Sequence, residues 1–150
     1  MIKFLVSVAL FSTLLFGGIN NNDNKIDYGK LDKISSKRLI QIISSNVAKN
    51  LPMTIDKACE LINVFSFNNF LVYIKEVNIN NVVIHDIWLN KKDDFIKAMF
   101  KGDSQNACHN QLLKYLVHER GVIIKFKYID TEANPLFDYT IDKNDCEKLL

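Results

Sequence analysis

Glycine is scarce in this chain, five in 150 residues, and two of the five stand together at Gly17 and Gly18 beside an apolar N-terminal run. A glycine-rich loop that cradles phosphate or a dinucleotide therefore has no place to sit, and the Gly-x-Ser-x-Gly elbow of a serine hydrolase is absent as well. Arg38 and Arg120 are the only arginines among 19 basic residues, and the formal net charge is +2. Such a balance gives no electrostatic case for nucleic acid or an anionic membrane as partner. Three cysteines and three histidines occur without CxxC or HxxxH spacing, which leaves no metal-ligand signature and implies no cofactor. Beyond the N-terminus no apolar run approaches the roughly 20 residues of a membrane-spanning helix.

That N-terminus is itself informative. Lys3 precedes an apolar run over residues 4–16, too short to span a bilayer and of the length of a secretory signal core. Residues 1–19 read as a signal peptide cut near Gly18, or else as an uncleaved anchor to the inner membrane. No cysteine lies near the run, which removes the lipid-attachment route. Residues 20–30 form an Asn-rich linker with nothing to build a core. Residues 31–150 are one domain's worth of chain, and a periplasmic or secreted location follows.

Within that domain, Asp32 or Ser35 caps a helix whose stripe is Leu39, Ile40, Ile43 and Val47, and Pro52 marks its end. An alternating run then places Cys59, Leu61, Asn63, Phe65 and Phe67 on one face against Glu60, Ile62, Val64 and Ser66. Asn68 and Asn69 turn the chain into a second strand, residues 70–77. Residues 82–89 read as strand or loop. Asp93 and Asp94 open a short helix that Gly102 breaks, after which Ser104 caps a helix containing Cys108, Leu112, Leu113, Leu116 and Val117, with Gly121 as its left-handed stop. Val122, Ile124, Phe126 and Tyr128 alternate as a strand, residues 130–135 turn, and residues 136–141 return with Phe137, Tyr139 and Ile141 on one face. The order α-β-β-α-β-β predicts an α+β fold: an antiparallel sheet of about four strands in two hairpins, packed with an N-terminal helix and a central helical segment.

Several stretches together resemble a group of small exported bacterial proteins of unknown function. They are Asn50, Leu51, Pro52, Met53, Ile55, Asp56 and Lys57 entering a hairpin; Cys108, Leu112, Leu113, Gly121 and Val122; Phe126, Tyr128 and Asp130; and the ending Ile141, Asp145, Cys146. The chain departs from that pattern at Cys59 and at the turn Glu132 to Pro135, which lacks glycine. Spacing alone leaves three single cysteine pairings open. The resemblance implies a disulfide from the last helix to the tail, Cys108 with Cys146, and the other pairings would leave the tail loose.

The remaining candidates for chemistry are weak beside their plainer readings. His109 and His118, nine apart on one helix, point to opposite faces and cannot share a metal. Cys59 as a nucleophile needs a base from His85, His109 or His118, and in an alternating strand it reads better as a small buried apolar residue. Asp93 and Asp94 read as a helix start rather than as an acid–base pair. The aromatics Phe65, Phe67, Tyr73, Tyr128 and Tyr139 exceed what one sheet face buries, which suggests a surface for another protein, for a hydrophobic ligand or for a second copy of the chain. The expectation is thus a non-catalytic exported protein that binds an envelope protein, of inhibitor, immunity or accessory type. A small hydrolase using Cys59 or an acid, and a membrane-tethered assembly component, are the alternatives.

Overall fold

A computed structural model describes residues 26–149. The N-terminal apolar run, the cut near Gly18 and the first part of the Asn-rich stretch lie outside the described residues. The elements follow as α1 (Tyr28–Leu31), α2 (Ser36–Ala48), β1 (Met53–Thr54), β2 (Cys59–Phe67), β3 (Phe70–Val77), α3 (Val82–Asn90), α4 (Lys92–His109), α5 (Gln111–Arg120), β4 (Ile123–Asp130), β5 (Pro135–Ile141) and α6 (Lys143–Glu147). The α+β class stands. The strands lie in chain order, β1-β2-β3-β4-β5, and both expected hairpins form with antiparallel pairing. The hairpins join through β3 and β4 in parallel, because α3, α4 and α5 cross between them and bring the chain back to the start of the sheet.

Local rules explain most of these elements. Ser35 Oγ accepts from Arg38 N at the start of α2, and the stripe Leu39, Ile40, Ile43 and Val47 is buried along with Ser44. Asn68 takes a φ of 53° in the two-residue turn between β2 and β3, a conformation asparagine tolerates. Gly121 ends α5 at a φ of 61°, which a residue with a Cβ rarely adopts.

Five expectations about these elements need correction. Residues 82–89 are helix α3, since Asn81 Oδ1 accepts from Val83 N at 3.1 Å and a cap of this kind overrides the strand preference of valine and isoleucine. Gly102 does not break α4, which runs through it and buries Asp103, Ser104, Ala107 and Cys108; one helical glycine costs only ~1 kcal/mol. Ser104 is therefore a buried interior residue, and the cap of α5 is Asn110, whose Oδ1 accepts from Leu112 N and Leu113 N, both at 3.1 Å. Cys108 and His109 close α4, while His118 lies on α5. Finally, the stretch read as linker already contains α1 at its end, where Ile26, Tyr28 and Leu31 pack against the core and the Tyr28 ring lies 4.8 Å from that of Tyr115.

Arg120 holds this N-terminal part to α5. Its guanidinium donates to Leu31 O at 3.0 Å, to Ile34 O, to Ser36 Oγ at 3.3 Å and to Tyr115 OH at 2.9 Å. One planar fork thus satisfies four acceptors, a geometry that lysine lacks.

Candidate functional site

The two faces of the sheet differ in kind. On β3 and β4 the buried alternation is Leu71, Tyr73, Lys75, Val77 and Ile124, Phe126, Tyr128, and on β5 it ends in Ile141. On β2 it begins with Cys59 and Leu61 and then jumps to Val64, because a bulge between Leu61 and Asn63 inserts one extra residue. A one-residue insertion exchanges the faces of everything beyond it. The helices contribute the rest of the same core cluster, so they stand on this face.

The covered face contains a buried polar cluster. Lys75 is the odd member of the apolar row of β3, and its Nζ lies 2.5 Å from Asp103 Oδ1 of α4 and 3.2 Å from Tyr128 OH. Tyr128 OH and Tyr139 OH donate to Asp103 Oδ2 at 2.6 and 2.8 Å. The Lys75 ammonium also sits 4.7 Å from the centre of the Phe126 ring. Burial, and next the Asp103 charge, hold the Tyr128 and Tyr139 hydroxyls far above the ordinary tyrosine range. As protonated donors they fasten α4 to the sheet through Asp103. A lysine among Leu71, Tyr73 and Val77 was the sequence signal for it, since an unpaired charge is not left in a core.

This arrangement corrects part of the expected interaction surface. Tyr73 and Tyr128 are buried on the covered face, and Tyr139 is half-buried in the same cluster. Cys59 is buried too, and that burial pushes its thiol up to about 12, which leaves it protonated and enclosed. His85 Nδ1 lies 3.3 Å from Ile79 O and His109 Nδ1 2.9 Å from Gln105 O, so the Nδ1 of each ring contacts backbone. Asp93 and Asp94 lie in the first turn of α4. Cys108 and Cys146 form a disulfide, with Cα atoms 5.3 Å apart and both residues buried. It joins the end of α4 to α6, where Asp142 and Asp145 form a reciprocal capping box.

The opposite face has no helical cover among the described residues. Beyond the bulge, Phe65 and Phe67 turn onto it and are 39% and 63% exposed. They were expected to share a face with Cys59 and Leu61, and the bulge separates them. Phe65 pairs across with Val72, and Phe67 with Phe70; Val72 is 4% exposed although it lies outside the core cluster. Ile74 and Ile123 continue the apolar patch, and toward β5 it gives way to the ion pair of Lys125 with Asp138 at 3.2 Å. An apolar sheet surface with a polar border is a shape that other proteins dock on.

No protein-family model matches the chain, and neither does any curated protein sequence. Solved structures do match. The chain is similar to a Pseudomonas aeruginosa protein described as secreted, with a TM-score of 0.61 and 14% identity over 74% of this chain and 92% of that one. It is also similar to the pilotin EpsS of the Vibrio vulnificus type 2 secretion system, with a TM-score of 0.56 and 11% identity over 74% and 94%. The type II secretion pilotin AspS of Vibrio cholerae gives 0.51 and 12% over 74% and 95%. The likeness is one of fold. Nearly the whole of each of those chains is matched, so the likeness concerns the complete architecture rather than a shared hairpin.

Proposed function

We propose that this is an exported, non-catalytic binding protein of the cell envelope, which docks a partner protein on the open face of its sheet around Phe65 and Phe67. The observation that carries the reading is that these two phenylalanines are exposed on a face that the described helices do not cover, while Lys75, Asp103, Tyr128 and Tyr139 are bound to one another inside the fold. A fold shared with a secreted protein and two secretion-system pilotins supports the envelope setting, as does the Lys3 and 4–16 pattern of the N-terminus. Burial of Cys59, which pushes its thiol up to about 12, weighs against the form of the hydrolase alternative that uses this residue as nucleophile. Among the described residues no helix is long and apolar enough to cross a membrane, so the tethered alternative depends on residues 1–19.

The test is site-specific photocrosslinking in cells that export the protein. A benzophenone side chain at Phe67 should give one discrete adduct with an envelope protein, and the same group at Lys114 on α5 should not. Equal labelling from both positions, or an adduct only from Lys114, would move the interface to the helical side.

A further inference from the structure

The open face carries a second feature, which its aromatic row does not explain. In the β2–β3 register Glu60 stands directly opposite Glu76, and both alternate with core residues, so both carboxylates project from the open face. Like charges in this relation repel and destabilise a sheet. Among the described residues neither carboxylate has an ion pair, although cations lie on the same face. Lys125 is engaged by Asp138. Lys127 stands beside Ile74 in the parallel ladder, one position away from Glu76 on that face, and is exposed. The apolar row at Phe65 and Val72 lies four residues along β3 from Glu76, about 13 Å at the rise of a strand.

Resting on the binding reading above, we infer that the segment docking on this face presents apolar side chains to Phe65 and Phe67 and an arginine or lysine, about 13 Å further on, to the Glu60–Glu76 pair. Two carboxylates on one side offer more acceptors than a single cation exhausts, and a guanidinium matches them with paired donors. The repulsion present in the free protein is then relieved on binding, and the basic residue sets the direction in which the segment lies. Charge of this kind chooses partner and orientation more than it adds raw affinity.

The probe is a phage-displayed library of random twelve-residue peptides, panned on the purified protein with binders to a Phe65→Ser/Phe67→Ser variant subtracted. The enriched peptides should carry aromatic or aliphatic residues followed, after a short spacer, by arginine or lysine. Synthetic versions should bind Glu60→Gln/Glu76→Gln at least tenfold more weakly than the parent, with a salt dependence that this variant loses. That variant removes a repulsion, so it should melt no lower than the parent. Phenylalanine-dependent peptides with no basic residue, or with equal affinity for Glu60→Gln/Glu76→Gln, would overturn the inference and leave the binding surface in place. If no phenylalanine-dependent peptide emerges, both fall. A dimer in sedimentation that the Phe65→Ser/Phe67→Ser variant dissolves would assign the face to a second copy of the chain and overturn the inference also.

Discussion

The two faces of one sheet treat charge in opposite ways. On the covered face a single lysine, Lys75, is held by Asp103 and Tyr128, and the carboxylate accepts two tyrosine hydroxyls as well. On the open face Glu60 and Glu76 oppose each other with no ion pair among the described residues. Burial accounts for the first arrangement, since an unpaired charge out of water is expensive and must be satisfied internally. Solvent permits the second, because water screens a like-charge pair well enough for the fold to tolerate it. Where a fold tolerates repulsion beside exposed phenylalanines, folding alone gives no reason for the arrangement, whereas recognition of another molecule does.

The sharpest way to break this comparison is to remove one member of the covered cluster. Asp103→Ala leaves the Lys75 ammonium buried and unpaired and should cost ~3–5 kcal/mol in urea or guanidinium unfolding. A Lys75→Met/Asp103→Leu double variant should recover most of that loss, because an apolar pair of similar volume is often neutral. A loss below ~1 kcal/mol for Asp103→Ala would mean that water reaches the cluster and that the faces differ less than their burial implies.

Next in size is the disulfide. Cys108 and Cys146 are 38 residues apart, and the chain-entropy model gives ~4 kcal/mol for a loop of that length. Cys108→Ser/Cys146→Ser should lower stability by about that amount and free α6, which hydrogen exchange would register as lost protection at Cys146 and its neighbours. Peptide mapping without reductant should find Cys59 as the free thiol.

Smaller again, Cys59→Ala should cost ~1 kcal/mol as a packing loss. The parent thiol, pushed up to about 12 by burial, should resist alkylation at pH 8 in the native state and react promptly once unfolded. Crosslinking from a benzophenone at Phe67 should be unchanged by the substitution.

The smallest effects belong to the open face. Glu76→Gln should raise stability by ~0.2–1 kcal/mol through relief of the opposing pair, and Phe67→Ser should change it by no more than ~0.5 kcal/mol, as expected at an exposed site. A large destabilisation by Phe67→Ser would show that this face is part of the core after all.

Much of this arrangement was legible in the residues. The helical stripe of α2, the Asn68–Asn69 turn, the stop at Gly121 and the alternation of β4 all follow from short-range patterns, and each recurs in the fold. The failures share a cause. Residues 82–89 read as strand or loop because valine and isoleucine disfavour helix, yet the Asn81 cap and the packing of Ile84 made them helix. Gly102 looked like a break, yet burial of the turns on its C-terminal side outweighs its backbone cost. The bulge in β2 was invisible because a strand read by strict alternation has no place for an inserted residue. That one residue decided the faces of Phe65 and Phe67, and hence which aromatics belong to a surface and which to the core.

By itself the sequence determined the α+β class, the hairpin turns and the absence of glycine loops and metal spacings, because these depend on neighbours within a few positions in the chain. Tertiary structure alone decided the parallel joint between β3 and β4, the partnership of Lys75 with Asp103, the clamp of Arg120 on the N-terminal segment and the meeting of Glu60 with Glu76. Each of these brings together groups that are far apart in sequence or whose facing depends on register. Such pairings become fixed only when burial, strand register and the crossing helices are satisfied together.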